Sequence, residues 1–289
     1  MTSLYQLHQF ATEVLTDHGI EDASLEAEVL LLDFFGYTRT AYILNLQTEV
    51  QSKDLRRIKG WLKKRARRIP LAYISRKAYF MDHLYDVRPG VLIPRPETEG
   101  LIEVFEEKCK TYSPDVIFDI GCGSGILAIE AALRYPGAKV YAWDISRKAI
   151  ATTLQNKVRH QVPNLEVLNR DFFSDRKRWA SILSKASVPI ILTNPPYIPD
   201  DHIALLQDEV RLYEPKRALK GGSDGLIFYR ALIKGFIGFG CVVICEIGID
   251  QKPPLSQFLD YKGLSEYEFI ADIHGIPRIL VINFRNLMQ

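Results

Sequence analysis

No stretch of this sequence is long and apolar enough to span a bilayer, because charges and turn residues interrupt every hydrophobic segment. The N-terminus, MTSLYQLHQFATEVL, lacks a basic region leading into an apolar one, so no secretory signal is expected and the cytoplasm is the expected compartment. Cysteine is scarce, 4 in 289 residues, and no Cys/His cluster has zinc-ligand spacing, so no metal site is expected. Cys241 and Cys245 invite pairing, but they lie within GCVVICEIG, a strand pattern. Four residues of strand cover roughly 13 Å, whereas a disulfide needs Cα atoms within roughly 7 Å. The pair therefore reads as buried thiols in a reducing compartment. Neither sign of charge is in excess: 37 Lys and Arg against 35 Asp and Glu leave +2. Such a balance argues against nucleic-acid binding by the bulk charge of the chain. No internal repeat, low-complexity segment or oligomerisation signal stands out, and a monomer is expected.

What is present is a soluble globular composition, 47% hydrophobic and 25% charged, in a chain long enough for one large domain or two ordinary ones. Residues 1–75 read as a small helical bundle. Leu4, Leu7, Ala11, Val14 and Leu15 recur at helical spacing, LEAEVLLLDFF is apolar enough to be buried before a stop at Gly36, and Leu55, Ile58 and Leu62 form one stripe of a third helix. Residues 76–96 read as a hairpin linker, with short extended runs around MDH and RPG. From residue 97 onward the rhythm changes. A helix in ETEGLIEVFEEKCKTY precedes alternating strands and helices: VIFDIG, ILAIEAALRYP, AKVYAWD, SRKAIATTLQNKVRHQ, LEVLNRD, PIILTN, DGLIFYRALIKGF and CVVICEIG. Two close strands, EYEFIADI and RILVINF, end the pattern. Alternating β and α units predict an α/β, doubly wound, Rossmann-like sheet over residues 97–289, and the final close pair predicts one antiparallel strand.

Two loops carry the chemistry. DIGCGSG, from Asp119 to Gly125, closes the first parallel strand and opens a helix, and its glycines at 121, 123 and 125 allow a tight turn with bare backbone toward a ligand. The spacing is GxGxG and no Lys-Ser/Thr pair follows, so it is not a phosphate loop. Asp144 ends the next strand, where a carboxylate can accept both ribose hydroxyls of a nucleoside. Asp171 and Phe172 end the third; they can meet an adenine amine and ring, or the Phe pair can simply close the sheet edge. The second loop, LTNPPYIPD, ends the fourth strand. There the Asn194 side-chain carbonyl and the Pro195 backbone carbonyl are two acceptors, the prolines fix φ, and Tyr197 offers a flat wall. Two acceptors and a wall describe a cradle for an NH2 on an sp2 carbon, and amides and exocyclic base amines both qualify. A rigid strand-end turn is the plain structural alternative.

Taken together these residues resemble the class I S-adenosylmethionine-dependent methyltransferases of amino-group type, and more narrowly the peptide chain release factor glutamine methyltransferases (the PrmC/HemK family). LIPRPETE, DIGCGSG, NPPYI, EPKRALKGGSDGLIFYR and EIGIDQ follow in that family's order, after a helical N-terminal region and a hairpin linker. The resemblance implies S-adenosylmethionine as cofactor, held by the Asp119 loop with Gly121, Cys122, Gly123, Ser124 and Gly125, by Asp144, Asp171 and Phe172, and by Asn194. It implies that Asn194, Pro195, Pro196 and Tyr197 hold the glutamine of a Gly-Gly-Gln loop, whose side-chain amide nitrogen is methylated. Residues 1–75 would then recognise the release factor. Cys122 stands where the family usually has Thr, Arg76 where it commonly has Gly, and Tyr79 where it commonly has Glu. The basic run RRIKGWLKKRARR reads as a solvated face, a surface for an acidic partner, or one for ribosomal RNA. NPPY is shared with adenine-specific DNA methyltransferases, but no second basic domain is present to track DNA. A non-catalytic cofactor-binding protein would have no physical need for Asn194 and Asp144.

Overall fold

The computed structural model describes residues 2–111 and 113–285, and these divide into two compact units. The first is helical. It comprises α1 (Leu4–Asp17), α2 (Ala23–Phe35), α3 (Arg39–Leu44), α4 (Ser52–Arg65) and α5 (Leu71–Ser75), together with residues 87–89 and 207–213. Ser3 opens α1 with a capping box, accepting from Gln6 N while the Gln6 side chain accepts from Ser3 N. Leu4, Leu7, Ala11 and Leu15 of α1 are buried against Ala27, Leu30 and Leu31 of α2 and Ile58 and Leu62 of α4, while Leu55 is half-buried at the edge of the same core. Gly36 stops α2 in the left-handed region at φ 67°. The short α3 and α5 have too few turns to show a period. Arg76 caps α5 at φ 66°, a left-handed conformation that favours glycine and is strained for a side-chain-bearing residue.

The second unit begins at Ala78, inside a hairpin of β1 (Lys77–Phe80) and β2 (His83–Asp86) turned at Met81 and Asp82; RPG lies outside its strands. Next come α6 (Glu99–Thr111), β3 (Val116–Ile120), α7 (Ile126–Arg134), β4 (Lys139–Asp144), α8 (Arg147–His160), β5 (Leu165–Asn169), α9 (Arg176–Leu183) and β6 (Pro189–Thr193). The chain then contributes α10 (Asp208–Tyr213) to the helical unit and returns for α11 (Ile227–Phe236), β7 (Val242–Glu246), α12 (Lys252–Tyr261), β8 (Tyr267–Ala271) and β9 (Pro277–Asn283). Helix α12 was not legible beforehand because Pro253 and Pro254 punctuate its start, yet proline is tolerated in a first turn, where the amide has no helical partner.

The seven strands run in the order β5-β4-β3-β6-β7-β9-β8. Pairing is parallel from β5 to β7, and β9 runs antiparallel to both β7 and β8. The doubly wound, mixed sheet expected from the sequence is the one observed. Along β3 and β6 the side chains alternate between two cores. Ile117, Ile190 and Leu192 pack with α6 and α7, while Phe118 and Ile191 pack with α9, α11 and α12. Strands β6 and β7 are buried along their full length, as central parallel strands covered on both faces should be. The chain winds outward through β3, β4 and β5, then returns to β6 beside β3, so a crevice opens at the carboxyl ends of β3 and β6. Among the described residues, no helix is long and apolar enough to cross a membrane.

Candidate active site

A cavity of about 710 Å³ lies at those strand ends, within the second unit. Its floor is the glycine loop. Gly121 N and Cys122 N donate to Trp143 O at 2.9 and 3.0 Å, which folds the loop back onto β4. Gly121 and Gly123 have φ of 77° and 58°, line the cavity, and would meet nothing within 4 Å if given a Cβ. They keep the backbone bare toward the open space. Gly125 lies off the cavity wall and serves packing: a Cβ there would come within 2.6 Å of Thr153 Cγ2. Asp119 and Ser124 are buried at the cavity edge. The Asp119 carboxylate accepts from Ala128 N in the first turn of α7, and burial pushes its pKa up to about 7, with the Asp144 charge adding and the Ala128 bond opposing. Cys122 is buried with Sγ 3.4 Å from Thr153 Oγ1, and burial raises its thiol well above the usual range.

Asp144 reaches the cavity from the end of β4. Its Oδ2 accepts from Gly123 N at 3.0 Å and its Oδ1 from Ser146 N at 2.7 Å, so it braces the glycine loop. Burial raises its pKa; the Ser146 and Gly123 amides and the Arg217 charge oppose. Each carboxylate oxygen retains a further lone pair for a ligand. Asp171 follows β5 in an exposed turn, its carboxylate accepting from Phe173 N and Ser174 Oγ. Phe172 lines the cavity, but its ring is stacked on Trp179, centroids 5.2 Å apart at 8°, and set edge-on to Trp143. The more open aromatic wall is Phe173, 37% exposed, in edge contact with Phe228 at 5.2 Å. Neither Phe173 nor Phe228 was singled out from the sequence; a Phe-Phe pair after a strand was the available signal for the first.

The NPPY loop leaves β6 beside the glycine loop, and Thr193 Oγ1 donates to Ile120 O at 2.7 Å to bind the two strand ends together. Asn194 and Pro196 line the cavity, while Pro195 and Tyr197 stand outside its wall. The Asn194 amide is anchored: Nδ2 donates to Thr98 Oγ1 at 3.0 Å and to Glu246 Oε2 at 2.8 Å. Among the described residues, no hydrogen bond ends on Asn194 Oδ1 or Pro195 O. The Tyr197 hydroxyl donates to Glu246 Oε1 at 3.2 Å, and burial followed by the Glu246 charge raises its pKa. Gln251 Nε2 holds Tyr197 O at 2.9 Å and Gly225 O at 3.0 Å. A Cβ on Gly225 would lie 2.3 Å from Tyr197 O, so only glycine lets that loop approach. On the facing side, Arg95 donates to Glu214 Oε1 at 2.6 Å, fixing the 92–95 segment along the cavity. Thr98, Glu214, Glu246 and Gln251 sit in the stretches PRPETE, EPKR and EIGIDQ. Their placement beside NPPY depends on pairings between distant strands, which no local spacing reveals.

Two family models match the chain: the PrmC N-terminal domain over residues 6–75 and the methyltransferase small domain over residues 96–223. The catalytic domain of human Mettl16, solved in complex with a MAT2A 3'UTR hairpin, superposes with a TM-score of 0.54, covering 89% of this chain and 90% of that one. At 14% identity the likeness speaks for the fold alone. Fold and family match together define a class I methyltransferase. The release factor glutamine methyltransferase of Clostridium botulinum is 31% identical over 92% of this chain and 94% of that protein, and that of Geobacter sulfurreducens is 33% identical over 92% and 91%. The enzyme of the same description from Bacillus subtilis is 31% identical over 97% of both. The chain belongs to the release factor glutamine methyltransferase family.

Proposed function

We propose that this enzyme transfers a methyl group from S-adenosylmethionine to the side-chain amide nitrogen of the glutamine in the Gly-Gly-Gln motif of a peptide chain release factor. The observation that carries this reading is the Asn194 amide at the cavity wall, whose hydrogens are held by Thr98 and Glu246 so that Oδ1 keeps its accepting capacity; Pro195 O, the next acceptor along the chain, likewise accepts no hydrogen bond among the described residues. The cavity fits the cofactor: Gly121 and Gly123 leave bare backbone where side chains would intrude, and Asp144 supplies acceptors suited to ribose hydroxyls. Residues Asp119 to Ser124, Asp144, Asp171, Phe172 and Asn194 would hold it, Gly125 closing the turn against Thr153 without lining the cavity, and Phe173 and Phe228 would add apolar wall. When bound, the cofactor would supply an electrophilic methyl on a sulfonium; the S–C bond breaks as the N–C bond forms, S-adenosylhomocysteine leaves as the neutral thioether, and one amide hydrogen is lost to solvent as a proton.

An amide nitrogen is a poor nucleophile because its lone pair is delocalised. Asn194 Oδ1 and Pro195 O hold its two hydrogens, and that pull strengthens as the nitrogen becomes pyramidal, so the interaction favours the transition state over the ground state. Pro195 and Pro196 fix the backbone of the acceptors, and Tyr197 walls the planar amide. Holding nucleophile and electrophile in line contributes on the order of 7–11 kcal/mol. The helical unit recognises the release factor, and the enzyme works as a monomer in the cytoplasm, where its substrate acts. Asn194→Ala deletes one acceptor and leaves the glycine loop intact. Turnover is expected to fall by roughly 10²–10³, with cofactor affinity changed only modestly. Single-turnover rates on release factor, beside cofactor titration, check this; wild-type turnover in the variant would overturn the cradle.

A further inference from the structure

The Asn194 side chain has two ends of nearly equal size and opposite hydrogen-bonding sense. Half a turn about its terminal torsion would offer hydrogens, not an acceptor, to an incoming NH2. The surroundings permit only one of the two settings. Nδ2 donates to Thr98 Oγ1 at 3.0 Å and Glu246 Oε2 at 2.8 Å, and the Thr98 hydroxyl donates to that same Oε2 at 2.6 Å. Glu246 Oε1 accepts from the Tyr197 hydroxyl at 3.2 Å. Thr98 and Glu246 are 1% and 2% exposed, so both partners are held away from bulk solvent. In the flipped setting Oδ1 would face Oε2, and an ionised carboxylate has no hydrogen to place between them. Burial raises the Glu246 pKa, with the Thr98 and Tyr197 hydrogen bonds opposing; the geometry itself suits a carboxylate, because hydrogens from Thr98, Asn194 and Tyr197 already point at its two oxygens.

We propose that Glu246 and Thr98 are positioning residues that lock the Asn194 amide with its carbonyl toward the substrate nitrogen, and that Glu246 sets the seat of Tyr197 from the same carboxylate. The kinetic consequence rests on the methyl-transfer reading above; the orientation itself does not. The network is polarity-sensitive. Asn194→Asp sets a carboxylate against Oε2 and breaks it. Adding Glu246→Gln reverses the bonds among positions 98, 194 and 246 together: the new amide NH2 faces the new carboxylate and the Thr98 hydroxyl can donate to that carboxylate, while the Tyr197 hydroxyl still meets an oxygen.

The test has an arm free of turnover. In the full chain labelled with 15N-asparagine, the Asn194 NH2 pair is identified by its loss in Asn194→Ala. Its hydrogen exchange is expected to be slow in the wild type and about tenfold faster in Thr98→Val, the equivalent of one lost hydrogen bond. With release factor as substrate, Thr98→Val is expected to lower kcat about tenfold while cofactor affinity stays within about twofold, and Thr98→Ser to restore kcat. In the Asn194→Ala background, Thr98→Val should cost nothing further. Asn194→Asp should be nearly inactive, and Asn194→Asp with Glu246→Gln should recover at least about tenfold over it. An Asn194 pair that exchanges freely in the wild type, or additive losses together with no recovery in the swapped pair, would overturn the positioning role. A wild-type chain with a protected, Thr98-dependent Asn194 pair but no transfer to release factor would instead refute the proposed substrate and leave the orientation standing.

Discussion

At the scale of single residues, the site works by committing polar atoms before any ligand arrives. Asp144 shows this most simply. Its carboxylate accepts from Gly123 N and Ser146 N, so it both shapes the floor of the cavity and presents acceptors to it. Asp144→Ala is therefore expected to weaken S-adenosylmethionine binding by about tenfold or more, since bonds to a charged group contribute about 1.5–3 kcal/mol. Calorimetric titration checks it, and unchanged affinity would remove Asp144 from the cofactor site. The residue types of this site were legible in the sequence where they stand next to one another: the glycines at 121, 123 and 125, the acid ending a strand, and the NPPY turn. The residues that aim them were not. Thr98 and Glu246 meet at Asn194 across separations of 96 and 52 residues; the register of β6 beside β7 brings Glu246 there, and Thr98 arrives from the turn that opens α6. Phe172 illustrates a different limit. A Phe after a strand can face a ligand or the core, and the choice is made by Trp179, which is seven residues on and stacks on it.

At the scale of elements, the strands were the easiest to read and the short helices the hardest. The central strands β3, β6 and β7 follow apolar runs bounded by turn residues, and burial on both faces leaves little alternative, whereas β5 and the edge strand β8 are only partly buried. Helices of five or six residues, such as α3, α5 and α10, do not complete enough turns to print a period. Helix α4 carries a further lesson, because the run Lys63, Lys64, Arg65 looks uniform in sequence. Lys63 and Lys64 are exposed, whereas Arg65 is 5% exposed and bonded to Glu26 at 2.6 and 2.9 Å and to Glu209 at 2.9 Å. Both glutamates are partly open to solvent, so the pairing is screened on their side. Removing the arginine still takes the cation from the Glu26 carboxylate and leaves Glu209 with Arg68 alone, at 3.3 Å. Arg65→Ala is expected to destabilise the protein by about 3 kcal/mol, and Lys63→Ala or Lys64→Ala by no more than about 0.5 kcal/mol. Urea unfolding monitored in the helical unit distinguishes the two; equal effects from all three would show that the buried pairing contributes nothing.

At the scale of the whole molecule, charge is nearly balanced at +2, and the chemistry is concentrated where the sheet reverses its winding. The glycine loop and the NPPY loop come from β3 and β6, neighbours in the sheet but separated in sequence by two β–α units. That neighbourhood follows from the winding rule for parallel sheets, which is why the fold and the general place of the site could be anticipated together. The substrate is the part that the winding does not determine. The most direct measurement is to incubate the intact chain with S-adenosylmethionine and unmethylated release factor, digest the product and map the added methyl group by mass spectrometry. The account predicts a single methyl on the side-chain nitrogen of the Gly-Gly-Gln glutamine, lost with Asn194→Ala. A methyl on another residue, or transfer to nucleic acid with the glutamine untouched, would contradict it.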